Sequence, residues 1–143
     1  MARILGVDYG DTRIGLAISD PMKSIAFPYN TVDNKSLEYL IDFFKKLILD
    51  KEIDCLVIGL PIGLNGKDTD QTKKVRTFAD SLKVLNVSIY FQDERLTSVS
   101  AKKSLIEQNI KTGYVKEKID ERAASIFLQQ FIDHKNNNNV FIK

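Results

Sequence analysis

The sequence predicts an α/β domain: a mixed five-stranded sheet with helices on both faces. Three observations lead there. Two short apolar runs near the start are separated by the turn-forming tetrapeptide Gly10-Asp11-Thr12-Arg13. A later run, residues 54–60 (DCLVIGL), is almost continuously apolar, as expected of a parallel strand covered on both faces. Between and after such runs the apolar spacing becomes helical, so strands and helices alternate.

Taken in order, residues 3–9 (RILGVDY) and 14–19 (IGLAIS) read as a hairpin of two strands. Residues 24–32 (SIAFPYNTV) supply a third strand, and Pro28 within it argues for an edge position. Asn34 or Ser36 can cap a helix over 36–51, where Leu37, Leu40, Ile41, Phe44 and Ile48 share a face. After the strand at 54–60, Pro61 to Lys67 forms a loop. A helix follows over 70–85 on Val75, Phe78, Ala79 and Leu82, and then a strand over 87–92 (VSIYFQ). Thr97 can cap a helix over 98–109. A basic, glycine-containing loop spans 110–118, and a last helix covers 119–134. An antiparallel meander followed by βαβα units gives the mixed sheet. Residues 1–134 form one domain, and the tail 135–143, with four successive asparagines, is expected to fray.

Bulk properties narrow the functional classes. The chain has 143 residues, 43% hydrophobic and 28% charged, which suffices for one core but not for two sizeable domains. No apolar run approaches the roughly 18–20 residues of a membrane span. The N-terminal residues pass straight into a strand-like run with no signal-peptide pattern, so a cytoplasmic location is expected. A single cysteine, Cys55, excludes an internal disulfide and offers no zinc cluster, and His134 is likewise alone. The net charge of +2 says little, but its distribution is uneven. Lys73, Lys74 and Arg76 cluster, as do Lys102 and Lys103, and Lys111, Lys116, Lys118 and Arg122. Such clusters suit a nucleic-acid backbone as well as a solvated surface.

Four acids stand out. Asp8 lies near the end of an apolar strand, where a carboxylate is costly unless paired or bound to metal; capping the DYGD turn is the structural alternative. Asp93 and Glu94 end the fifth strand on opposite faces, so one of the two can aim at a given site. Asp120 precedes Ala124 by four residues and so extends the stripe Ala124, Phe127, Leu128 and Phe131 onto the inward face of its helix. Helix-dipole stabilisation and metal ligation both account for it. Acids from two strand ends and one helix start meet in the crevice at the edge of an open sheet. They suit a hard cation such as magnesium, which keeps waters and needs few protein ligands.

Ordered motifs then carry a resemblance. Ile4-Leu5-Gly6-Val7-Asp8-Tyr9-Gly10, Arg13-Ile14-Gly15-Leu16-Ala17-Ile18-Ser19-Asp20, Val57-Ile58-Gly59-Leu60-Pro61 with Gly66, Asp93-Glu94-Arg95-Leu96-Thr97-Ser98, and Asp120 with Ala123-Ala124 and Leu128-Gln129 span residues 3 to 133. This pattern resembles the YqgF (RuvX) family of the ribonuclease H-like superfamily, which also includes the RuvC resolvases. The resemblance implies a ribonuclease H-like sheet, with the first three strands antiparallel and the first, fourth and fifth parallel. It implies metal-binding, catalytic acids at Asp8, Glu94 and Asp120, with Asp93 kept as the alternate to Glu94. It also implies a bacterial, cytoplasmic nuclease that uses Mg2+ or Mn2+ and processes the 5′ end of pre-16S rRNA in ribosome biogenesis. Resolution of Holliday junctions, which are branched DNA, is the alternative.

On this reading Arg13, Arg95, Lys118 and Arg122 are the candidate nucleic-acid contacts, with the basic clusters holding the backbone. No aromatic platform for base stacking is evident. Two rivals come from other classes. One is a phosphotransferase of the actin and sugar-kinase type, whose folds also open on a DxG hairpin. The other is a nucleic-acid-binding module without catalysis. A resolvase calls for a homodimer, whereas a trimming nuclease can act as a monomer.

Overall fold

In a computed structural model the structure describes residues 2–94 and 113–142, with side chains described for 2–94 and 120–136. Three antiparallel strands come first: β1 (Arg3–Tyr9), β2 (Arg13–Ser19) and β3 (Ala26–Asp33). Helix α1 (Leu37–Lys51) leads into β4 (Ile53–Leu60), and α2 (Asp70–Ser81) leads through a 3-10 turn at Leu82–Leu85 into β5 (Ser88–Asp93). The long helix α3 (Gly113–Ile142) closes the described chain. The strand order is β3-β2-β1-β4-β5, with β4 parallel to both β1 and β5. This is the expected mixed five-stranded sheet, and Pro28 does sit on an edge strand.

Local chemistry explains most boundaries. Ser36 caps α1 by accepting from the Tyr39 N–H, and Glu52 ends it in the left-handed conformation. Thr69 and Thr72 form a reciprocal capping box at the start of α2. The helix expected over 70–85 therefore splits, its last four residues tightening into the 3-10 turn.

The sheet separates two cores. On one face Leu5, Val7, Ile14, Leu16, Leu56 and Ile58 pack against Leu40 and Phe44 of α1 and Val75 and Phe78 of α2. On the other face Ile4, Ala17, Cys55 and Val57 pack against Ala123, Ala124, Phe127, Leu128 and Ile132 of α3. Alternation along each strand assigns its residues to one core or the other. Complete burial of Phe127 and Leu128 contributes roughly 1.5–3 kcal/mol each before conformational entropy is deducted. Helix α3 is further tied to the β3 edge. Gln129 Oε1 accepts from the Ala26 N–H at 2.8 Å, and Thr31 Oγ1 donates to Glu121 Oε2 at 2.9 Å.

One expectation needs correction. Residues 113–118 are helical rather than a loop, so α3 begins at Gly113 and not near 119. The α3 backbone also continues through the asparagine-rich tail to Ile142. No proline interrupts residues 113–142, and asparagine is a middling helix former that an established helix readily extends through. The helix expected over 98–109, with its cap Thr97, lies outside the described residues, as do the side chains of Arg95, Lys102, Lys103, Lys111, Lys116 and Lys118. Among the described residues no helix is long and apolar enough to cross a membrane.

Candidate active site

The central strand β1 ends on Asp8 and Tyr9, which point to opposite faces of the sheet. Asp8 shares the α3 face with Ile4 and Gly6, and only 6% of it is exposed. A glycine flanks it on either side. On β2, Gly15 is its direct partner in the antiparallel register. On β4, Gly59 follows Ile58, which pairs with Val7, so Gly59 lies beside Asp8.

Each glycine makes room for another acid. A Cβ on Gly15 would stand 2.4 Å from the carbonyl carbon and oxygen of Asp120 and 2.7 Å from its Cβ. A Cβ on Gly59 would stand 3.0 Å from Glu94 Oε1 and 2.7 Å from the Phe127 ring. Gly6 plays the same part beneath Ala124 and Leu128. Helix α3 therefore rests directly on backbone, and that close approach brings Asp120 to one flank of Asp8 while Glu94 occupies the other.

The two neighbours at the end of β5 separate by face. Gln92 pairs with Gly59 and Asp93 with Leu60, and Leu60 belongs to the core under α1 and α2. Asp93 consequently points away from Asp8. Glu94 returns to the α3 face, only 8% exposed. The stacking of Tyr90 on Phe131, 5.5 Å between ring centroids, fixes the same phase.

Asp120 does not lie at a helix start. With α3 beginning at Gly113 it falls in the third turn, beyond the reach of the N-terminal dipole. Its cationic neighbour is Arg13, whose Nε lies 3.7 Å from Asp120 Oδ2. That nitrogen is buried and makes no hydrogen bond. The pairing accounts for Arg13 on the site face, which the sequence offered only as a phosphate contact. Arg122 is exposed on α3. Lys73, Lys74 and Arg76 belong to α2, across the sheet from the acids. Arg76 is committed there to Asp68, at 2.8 and 3.2 Å, and holds that carboxyl below its usual range.

The donor set is all oxygen, partly desolvated and drawn from three separate elements, which fits a hard divalent cation. It is not a finished cage. Among the described residues no three His, Cys, Asp or Glu side chains stand close enough together to hold an ion as placed. The strands and helix α3 bring the three acids to one edge of the sheet without closing their side chains on a common point. Cys55 and His134 play no part. Burial pushes the Cys55 thiol up to about 11, and His134 is exposed far along α3. Sequence reasoning missed Gly15 and Gly59, although a glycine inside a strand is itself a sign of close approach.

Comparison with known proteins agrees with this architecture. A "Putative pre-16S rRNA nuclease" from Roseiflexus sp. (strain RS-1) is 39% identical over 132 residues, covering 92% of this chain and 94% of the relative. A protein of the same name from Clostridium botulinum (strain Hall) is 40% identical, covering 92% and 96%. Thermus thermophilus RuvC has a similar structure, with a TM-score of 0.57 at 11% identity, covering 94% of this chain and 96% of RuvC. The yeast mitochondrial Holliday junction resolvase Ydc2 gives 0.53 at 13% identity, covering 99% and 85%. These structural likenesses establish the ribonuclease H-like fold. Residues 2–134 match the profile described as "RuvX: Holliday junction resolvase", and on that match and the identity to its relatives the chain belongs to the RuvX family.

Proposed function

We propose that this protein is a nuclease that hydrolyses nucleic-acid phosphodiesters at the edge bearing Asp8, Glu94 and Asp120, and that its substrate is the 5′ leader of pre-16S rRNA. The observation that carries the reading is the pair of glycines flanking Asp8, whose missing side chains admit Glu94 on one side and Asp120 on the other. A side chain at either position would occupy the space in which these acids stand beside Asp8. The name shared by the curated relatives supports the RNA substrate.

Asp8, Glu94 and Asp120 would hold Mg2+ or Mn2+. Ions of this kind activate water and stabilise the leaving oxygen of an in-line displacement. The chain's own residues do the rest. Asp8 is fixed by the central strand and cannot drift without breaking the sheet. Burial of Asp8 and Glu94 keeps their carboxylates poorly hydrated, which strengthens their attraction for a cation. Arg13 faces Asp120 across 3.7 Å through its buried Nε, and the exposed part of its side chain takes the role of a phosphate contact. Arg122 on the exposed face of α3, together with Arg95 and Lys118, is placed in the role of backbone contact. On this reading the protein acts in the cytoplasm, and trimming of a leader requires no second copy of the chain.

A second reading, resolution of branched DNA by a homodimer, has the family description in its favour. The test presents purified protein, with Mn2+ or Mg2+, with a pre-16S 5′ leader and a four-way DNA junction in parallel. Cleavage of the leader alone is expected, and cleavage of the junction alone would reverse the assignment. Asp8→Asn should abolish cleavage of either substrate while leaving the melting temperature close to that of the parent. Undiminished activity would remove Asp8 from the chemistry.

A further inference from the structure

Behind the acidic edge, on the opposite face of β1, lies a groove of about 460 Å3 between α1 and α2. That volume is in the range that holds a small organic ligand. Tyr9, Leu37, Leu40 and Phe78 form its apolar floor, and Lys73 and Lys74 stand on one wall. Tyr9 and Phe78 come from elements far apart in sequence, and their rings meet at 4.5 Å between centroids. No aromatic cluster was visible in the sequence for that reason.

The polar groups at the groove are arranged for a mixed ligand. Thr77 donates its hydroxyl to the Lys73 carbonyl and Ser81 donates to the Thr77 carbonyl, so both oxygens keep lone pairs for an incoming N–H. Asn34 spends its amide nitrogen on the Gly10 carbonyl and retains its oxygen as an acceptor. Lys73 makes no ion pair among the described residues. Lys74 reaches Asp11 at 3.5 Å, but both side chains are more than half exposed, and such a pair is weak and readily exchanged for a phosphate.

We propose that this groove seats a nucleotide, its base against Tyr9 and Leu37 and its phosphate on Lys73 and Lys74. Stacking surface, acceptors for base N–H groups and paired lysines match that chemistry together. The groove also backs onto the strand end that carries Asp8, one residue from Tyr9. A single strand crossing the Gly10-Asp11-Thr12 turn would therefore run from the groove on one face of the sheet to the acids on the other. The assignment of the nucleotide to the substrate strand rests on the nuclease reading; the nucleotide chemistry of the groove does not.

The test uses the full chain, isotopically labelled, in EDTA so that no metal-dependent cutting occurs. It is titrated with a single-stranded RNA of about 12 nucleotides and separately with AMP. Amide resonances of Asn34, Leu37, Thr77 and Ser81 should shift with both. Thr77→Trp, which fills the groove from an exposed helix position, should weaken RNA binding roughly tenfold. The double variant Lys73→Ala/Lys74→Ala changes only exposed side chains and serves if Thr77→Trp folds poorly. It should lower the slope of log affinity against log salt by about 0.7 per lysine. Shifts with AMP but not RNA would keep the nucleotide site and make a free nucleotide its occupant. Groove shifts in a protein that never cleaves RNA or DNA would sustain the groove while ending the nuclease reading. If RNA moves only resonances at the acidic edge and both variants bind like the parent, the groove is no nucleotide site, and the nuclease reading is untouched. Silence of these amides toward both ligands overturns the proposal as well.

Discussion

Replacing Gly15 by alanine tests whether the acidic edge depends on contact between helix and sheet backbone. The added Cβ would lie 2.4 Å from two backbone atoms of Asp120, whereas ordinary contact begins at 3.4 Å. The shortfall is about 1 Å, and because the obstacles are backbone atoms no rotamer change relieves it. Helix α3 must retreat, carrying Asp120 with it. Overpacking of this kind costs about 1–3 kcal/mol, which a domain of this length shows as a fall in melting temperature of roughly 3–10 °C. A displacement near 1 Å in a reacting group costs on the order of 100-fold in rate. The assay compares kcat/KM for cleavage of the pre-16S leader in Mn2+, well below the transition, with the thermal melt. Leu47→Ala, on α1 across the sheet, supplies a control that loses stability without touching the acids. Gly15→Ala should lose far more activity than this control at matched stability. A Gly15→Ala protein with parental melting and parental rate would refute the argument from close packing, and equal activity losses in the two variants would refute the positional part.

Other expectations follow from single contacts. Arg13→Gln removes the positive charge that faces Asp120, so Mn2+ binding measured by calorimetry should tighten; weaker binding would mean that Arg13 organises the acids rather than competing for one of them. Asp20 accepts from the backbone N–H groups of Ile25 and Ser24, bonds that hold its carboxyl down at about 2. Because the folded value is depressed, its stabilising contribution is present above the unfolded value near 3.8 and disappears as pH falls toward 2. Denaturant melts of parent and Asp20→Asn should differ at pH 7 and converge near pH 2; a constant gap would contradict this. Cys55, buried and with its thiol raised to about 11, should resist thiol-specific reagents at pH 8 in the native protein and react only on unfolding.

The parts of the site visible in the sequence were those with a strong local pattern. Asp8 stood out because an acid in an apolar strand needs an explanation, and the stripe through Ala124, Phe127 and Leu128 oriented Asp120. The choice between Asp93 and Glu94 was not available there. Period-two alternation separates them but does not say which face meets α3; the Gly59–Gln92 and Leu60–Asp93 register decides that in space. The start of α3 was misplaced because Gly113 and a run of lysines look like loop chemistry, while tertiary packing of the following stripe carries the helix back through them. Gly15 and Gly59 were passed over because their importance lies in what rests on them, a fact of tertiary structure.

The outer edge of β3 bears on how the molecule survives at high concentration. Met22, Ile25 and Phe27 are all at least 49% exposed on or just before this strand, where unpaired backbone groups invite pairing with another chain. Pro28 has no N–H to offer a newcomer, and the irregular register between Leu16 and Ala17 interrupts the regular ladder beside it. A greasy border that would otherwise template fibrous aggregation is thus left without the continuous row of donors that end-to-end sheet growth demands.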